Sequence, residues 1–388
     1  MALATFGVAF VARPFGSVLF GHYGDRIGRK KTLVTTLLMM GLSTVAIGLL
    51  PATSAMGVWA PILLVVLRIL QGLAVGGEWA GATLLTAENA PKAKRGKYAL
   101  YPQLGASVAF ALASATFLLT AVTMSDAAFM SWGWRIPFIG SVLMVAVGLF
   151  VRLRIEESSA FERTKETGTV SRLPVRDVIT RQPREVLLGA FVTTTVMAFF
   201  YIGVTYLTTY GTDVLGHPRT TVLALGILGG AAFAATTVMG AVMSDRRGRK
   251  RMVLTGNLAS VVVAVIAFPV LDIGTTWSFA LGLCLVLGVV GIAYGPVGAL
   301  LPELFRAQYR YTGAGLAYNL AAVLGGAVTP LIATTLEDSF GSSAIGYYLA
   351  FIALASTLCT LGLRDTRDAE MVTAVPLPAA EDRQVAPL

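Results

Sequence analysis

The chain has 388 residues, 55% of them hydrophobic and 13% charged, with a mean hydropathy of +0.73. Soluble domains carry about 25% charged residues, so this composition argues against a water-soluble enzyme or binding module. The net charge of +9 invites a nucleic-acid partner, but the basic residues form no compact groove-binding module, and none is expected.

Apolar runs of about 20 residues, long enough to span a bilayer as helices, recur along the chain. They are far longer than the roughly 10-residue alternating strands of a barrel. Helices also satisfy every backbone group internally. The fold class is therefore an all-α polytopic membrane protein. Cys284 and Cys359 lie inside apolar runs and suggest neither a disulfide framework nor a zinc site. No metal is expected, and the start has no cleavable signal pattern.

Residues 2–21 form the first predicted span and include Arg13-Pro14. A charged turn, Gly21 to Lys31, leads to spans at 32–50 and 60–85. The latter carries Arg68, Gln71 and Glu78. A basic loop from Asn89 to Lys97 precedes spans at 98–122 and 134–151. Residues 152–185 are polar and Arg-rich and read as a cytoplasmic linker, with room for short amphipathic helices. Further spans follow at 186–210, 219–243, 252–271, 277–301, 312–334 and 345–363. The tail from Arg364 to Leu388 is charged, contains proline and is expected to be disordered and cytoplasmic. The organisation is thus a first membrane half at 1–151, a linker at 152–185, a second half at 186–363 and a tail at 364–388, with eleven spans.

The two halves repeat. Asp25-Arg26-Ile27-Gly28-Arg29-Lys30 recurs as Asp245-Arg246-Arg247-Gly248-Arg249-Lys250, 220 residues on. Glu88 and Arg95 recur as Glu303 and Arg310, 215 residues on. Two charge patterns at nearly one period mark a tandem duplication. In a membrane protein this points to a transporter whose halves rock about a central site. Two spans precede the charged turn in the second half and one in the first. A complete duplication would hold another helix before Met1, twelve in all.

Charge placement orients the chain. Of the 30 Lys and Arg, only Arg135 and Arg219 fall near one face, and Arg13 and Arg68 fall within spans. The remaining 26 lie on the other face, which the positive-inside bias makes cytoplasmic.

The turn at 21–30 resembles the signature of the major facilitator superfamily. Further stretches resemble its metabolite:proton symporter family. These are Arg13-Pro14-Phe15-Gly16, Arg68-Ile69-Leu70-Gln71-Gly72, Gly76-Gly77-Glu78-Trp79, Gly133-Trp134-Arg135-Ile136-Pro137-Phe138, Glu303-Leu304-Phe305 and Arg310-Tyr311-Thr312-Gly313. The resemblance implies a major facilitator fold of two pseudo-repeated helical halves and proton-driven import of small carboxylates or zwitterions. It also implies a multi-pass protein of the plasma (inner) membrane, expected as a monomer. No cofactor is implied beyond the proton gradient. Two departures stand out: the superfamily's first helix has no equivalent here, and Arg306 stands where the family has proline.

Candidate site residues follow from intramembrane charge. Arg13 lies about 12 Å below Gly21 at 1.5 Å per residue. It reads as an anion-binding or coupling residue, or as a brace between helices. Arg68, Gln71 and Gly72 share a helix face, and a guanidinium there can hold a carboxylate bidentately. The resemblance adds a cavity-lining, proton-linked role for Arg68. Glu78 is the visible proton-carrier candidate, or a carboxylate paired with a cytoplasmic arginine. Tyr201 and Asn319 are candidate substrate contacts from the second half. Asp25 and Arg29 with Glu88 and Arg95, and Asp245, Arg249, Glu303 and Arg310 as their counterpart, read as a cytoplasmic gate. Gly28 and Gly248 permit the positive φ of a tight turn.

The reading is proton-coupled symport of a small organic solute by alternating access, in a lipid bilayer. A drug or metabolite exporter of the same superfamily and a truncated, non-transporting copy are the alternatives. A membrane-embedded enzyme lacks support, since no HExxH, histidine cluster or nucleophile–base spacing occurs.

Overall fold

Long apolar stretches set the helices, and charged or glycine-containing turns set their ends. The computed structural model describes residues 2–51, 53–166 and 171–366. The first half holds α1 (Ala2–Arg26), α2 (Arg29–Leu49), α3 (Trp59–Glu88), α4 (Arg95–Thr123) and α5 (Ile136–Arg154). Two short linker helices follow, Ser159–Glu166 and Pro174–Arg181. The second half holds α6 (Pro183–Val214), α7 (Arg219–Arg247), α8 (Arg249–Leu271), α9 (Thr276–Leu304), α10 (Ala307–Phe340) and α11 (Ser342–Leu361).

Among the described residues, ten helices, α2 to α11, are long and apolar enough to cross a membrane. Eleven spans were expected. α1 is the further helix, 25 residues long, outside that count of ten.

Gly28 (φ 114°) and Gly248 (φ 95°) break the chain between α1 and α2 and between α7 and α8. Side chains with a Cβ avoid that region, so both charged turns need glycine. The start of α9 is fixed by a capping box, in which the Thr275 hydroxyl accepts from the Ser278 amide and the Ser278 hydroxyl accepts from the Thr275 amide.

Two spans run longer than expected. α6 continues past Tyr210 through π-helical turns at Ile202–Tyr206 and Tyr210–Val214. α10 bridges its Gly325-Gly326 pair with a π-helical turn at Ala322–Ala327. The tail differs too at its root: Thr366 is buried and donates to Glu303 at 2.7 Å. Residues 367–388 of the expected disordered tail lie outside the described residues.

Within the first half α1 packs on α3, and within the second α7 packs on α9. Gly72 and Gly76 permit the first contact, because a Cβ at either would collide with the carbonyl oxygens of Ala9 and Arg13. The halves meet along α1–α10 and α4–α7. By the repeat, α1 corresponds to α7 and α4 to α10, so these are two copies of one seam. α5 is apolar yet buries no residue, as expected of a helix that faces lipid.

Candidate functional site

Where the seams converge, both halves line a central cavity of about 70 Å³. Arg13 of α1 and Ala106 of α4 form one wall. Phe200 and Tyr201 of α6, Phe233 of α7, Tyr294 of α9 and Tyr318 of α10 form most of the other. Ligand pockets commonly measure about 300–1,000 Å³, so this is a constricted state of the centre.

Arg13 supplies the charge. Its Nη1 donates to the Tyr201 hydroxyl at 3.1 Å, and its guanidinium carbon sits 3.8 Å from the Phe10 ring centroid. Its Nε is buried without a partner, and it makes no ion pair among the described residues. A cation with a spare donor against aromatic walls suits a carboxylate whose remaining atoms pack on the rings. Tyr201 sits at the last turn before the first π-helical segment, a distortion often found at functional sites.

A bonded chain crosses the seam beside the cavity. Trp79 stacks on Tyr318 with centroids 3.8 Å apart and planes at 5°. Its Nε1 donates to Gln103 Oε1 at 2.8 Å, and Gln103 Nε2 donates to the Tyr294 carbonyl at 2.8 Å. The Tyr294 and Tyr318 hydroxyls are 3.2 Å apart. Sequence reasoning passed over Gln103 and Tyr294. The available signal was a polar or hydroxyl-bearing side chain deep inside an apolar run.

The other candidates lie elsewhere. Arg68 Nη1 donates to Gln71 Oε1 at 3.2 Å, and Gln71 Nε2 donates to Thr44 at 2.7 Å. Arg68 borders a separate cavity of about 320 Å³, with Trp134 and Arg135, at the end away from the charged turns. Glu78 is ion-paired with Arg152 of α5, which also donates to the Leu33 carbonyl. Asn319 is buried and donates to the Gly76 carbonyl at 2.9 Å, bracing α10 against α3.

The charged turns build a second centre. Asp25 accepts from the amides of Tyr311 (3.1 Å) and Thr312 (3.0 Å) and from the Thr312 hydroxyl (2.8 Å). It thereby caps the start of the α10 α-helix from the other half, where the helix dipole favours an anion. Asp245 does the same for α4, accepting from the amides of Gly96 (2.8 Å) and Lys97 (2.9 Å). Glu88 lies 3.4 Å from Arg29 and 3.3 Å from Arg310. Glu303 lies 3.6 Å from Arg249 and 3.8 Å from Arg95.

This corrects the expected partners. The sequence grouped Glu88 with Arg95 and Glu303 with Arg310, each within its own half. Instead Arg95 reaches Glu303 and Arg310 reaches Glu88, each in the opposite half, because α4 and α10 start on the seam rather than inside their own bundles. Asp25, Arg29, Glu88, Arg95, Arg249, Glu303 and Arg310 are all buried.

A third repeated element, also missed, completes this end. Glu157 accepts from the Arg29 and Lys30 amides, and Ser158 donates to Glu88 at 2.5 Å. In the second half, Thr366 donates to Glu303 and Asp365 lies against Gly248. An acid followed by a hydroxyl recurs 208 residues on.

The profile of the Major Facilitator Superfamily matches residues 1–327 and again 231–385. The chain belongs to the major facilitator superfamily.

Curated relatives within the superfamily include the inner membrane metabolite transport protein YhjE of Escherichia coli (strain K12). It is 43% identical over 371 residues, covering 94% of this chain and 84% of the relative. The shikimate transporter of the same strain is 39% identical, covering 95% and 85%. The proline/betaine transporter of that strain is 32% identical, covering 99% and 78%. Among solved structures, the proton:xylose symporter XylE has a TM-score of 0.77 at 18% identity, covering 95% of this chain and 88% of that one. The last likeness is one of fold. The chain is a multi-pass membrane transporter of this superfamily and not an enzyme.

Proposed function

We propose that this transporter moves a small carboxylate-bearing solute together with protons, by rocking of its two halves. The observation that carries the reading is Arg13, a guanidinium at the central cavity with no carboxylate partner among the described residues and with its Nε unbonded. A charge at that depth is costly unless it serves a ligand or a pathway. The solute carboxylate takes the Arg13 fork, and its body rests against Tyr201, Tyr294 and Tyr318. Relatives named for shikimate and for proline and betaine agree with a small carboxylate or zwitterion.

In this reading the charged turns face the cytoplasm of an inner membrane, and α1 is an eleventh span. The reciprocal caps and crossed ion pairs close the cytoplasmic side. Glu78 is the acid offered for protonation, releasing Arg152 when neutral.

The test is uptake into proteoliposomes under an inward proton gradient, with α-ketoglutarate, citrate, shikimate, proline and betaine as the panel. Gradient-dependent uptake of at least one compound, abolished by Arg13→Ala, is expected. Uptake unaffected by Arg13→Ala would overturn the anion-site role. The aromatic cavity wall favours one second reading, an exporter, which would accumulate solute only with the gradient reversed.

A further inference from the structure

A larger cavity of about 490 Å³ opens at the end away from the charged turns, the outer end in the orientation proposed above. Its lining comes from three of the helices that line the central cavity. α4 supplies Ala106 to the inner cavity and Phe117 to the outer. α6 supplies Tyr201 and Thr212, and α7 supplies Phe233 and Val222. Each pair is eleven residues apart, which on the α-helical α4 and α7 is three turns at 3.6 residues per turn, or about 16 Å of rise. The two cavities are therefore stacked along one set of helices.

The outer cavity also holds charge. Its basic group is Arg219. The other arginines near this end are occupied: Arg135 donates to the carbonyls of Ser131 and Leu50, both at 3.1 Å, and Arg68 donates to Gln71. Arg219 makes no ion pair among the described residues, and its guanidinium carbon lies 5.1 Å from the Phe129 ring centroid. Beside it, His217 Nε2 is buried and has no hydrogen-bond partner. Asp213 lines the same space with one carboxylate oxygen held by Thr212 at 2.7 Å.

We infer that this outer cavity is a recruitment site for the carboxylate of the transported solute, held by Arg219 with His217 as a second donor. The solute binds there first and then descends along α4, α6 and α7 to Arg13. Asp213 repels a second negative charge and so favours monoanions and zwitterions over dianions. The inference rests on the carboxylate reading above.

The experiment compares uptake from outside and efflux from inside, using the best-transported panel compound and the full chain in right-side-out vesicles. Arg219→Ala is expected to raise the external KM about tenfold, the factor that 1.4 kcal/mol of binding gives. The maximal rate should stay within about twofold, and the internal KM for efflux should not move. Arg219→Lys should recover most of the external affinity, which also shows that the fold survives. Asp213→Asn should strengthen inhibition by citrate relative to proline. An unchanged external KM in Arg219→Ala, or an equal change on both sides, overturns the outer site. If Arg13→Ala abolishes uptake while Arg219→Ala changes nothing, only the outer site fails. If the wild-type chain moves no compound of the panel, the carboxylate reading fails and the outer site falls with it.

Discussion

Glu88 of α3 lies 3.3 Å from Arg310 of α10, across the seam between the two halves. Both are buried, and Glu303 with Arg95 repeats the relationship at 3.8 Å. Breaking a buried pair by removing one partner costs about 3–5 kcal/mol, because a charge is left uncompensated. Glu88→Gln is therefore expected to open this end. A cysteine introduced at Ala314, buried on α10, should then react at least tenfold faster with an impermeant maleimide in inside-out vesicles. Glu88→Gln and Arg310→Gln should be non-additive in a double-mutant cycle, with a coupling of about 0.5–3 kcal/mol. Additivity would mean the two residues act independently.

The two helix caps should differ in strength. Asp25 is nearly inaccessible and accepts three bonds, whereas the Asp245 side chain is 11% exposed and accepts two from the opposite half. Removing a cap costs about 0.5–2 kcal/mol. Asp25→Ala should lower the Tm of the purified protein more than Asp245→Ala does. The reverse order would place the main clamp on α4.

Tyr201→Phe removes the hydroxyl that accepts from Arg13 but keeps the ring against Phe10. A net hydrogen bond contributes about 0.5–1.5 kcal/mol, so the KM for solute should shift by about two- to tenfold with the maximal rate nearly intact. Arg13→Lys keeps the charge and loses the planar fork, and should retain weak uptake where Arg13→Ala retains none. Equal loss in both would point to the fork rather than the charge.

Glu78→Gln separates proton coupling from solute passage. Arg152 keeps its bond to the Leu33 carbonyl, so the fold should tolerate the change. Solute counterflow without a gradient is expected to persist, while gradient-driven accumulation disappears. Accumulation that survives would move the proton site elsewhere.

Much of this was legible from residue order alone. The Asp-Arg-x-Gly-Arg-Lys turn needs glycine at positive φ, and Gly28 and Gly248 have it. The spacing of Arg68 and Gln71 placed them on one helix face, where they are hydrogen-bonded. It carried no information about which way that helix face turns, and Arg68 borders a cavity apart from Arg13. Arg29 pairs with Glu88 and Arg249 with Glu303 as grouped, but Arg95 and Arg310 exchange glutamates between the halves, for a related reason. Sequence proximity groups residues by loop, whereas ion pairs are chosen by how two bundles meet. Trp79 stood within a recognised motif, yet its stacking on Tyr318 depends on a neighbour 239 positions away.

The repeat offset shrinks from 220 to 215 to 208 along the chain. The missing residues come from the loops at one end. Nine residues separate α2 from α3, but only four separate α8 from α9. Twelve separate α4 from α5, and only Gly341 separates α10 from α11. At the charged end, the spacing from Asp to Arg (Asp25 to Arg29, Asp245 to Arg249) and from Glu to Arg (Glu88 to Arg95, Glu303 to Arg310) is the same in both copies. Symmetry has thus been retained where the halves must lock onto each other, and given up at the mouth. Exchanging loops at the mouth between relatives should alter which solutes are admitted while leaving the lock untouched.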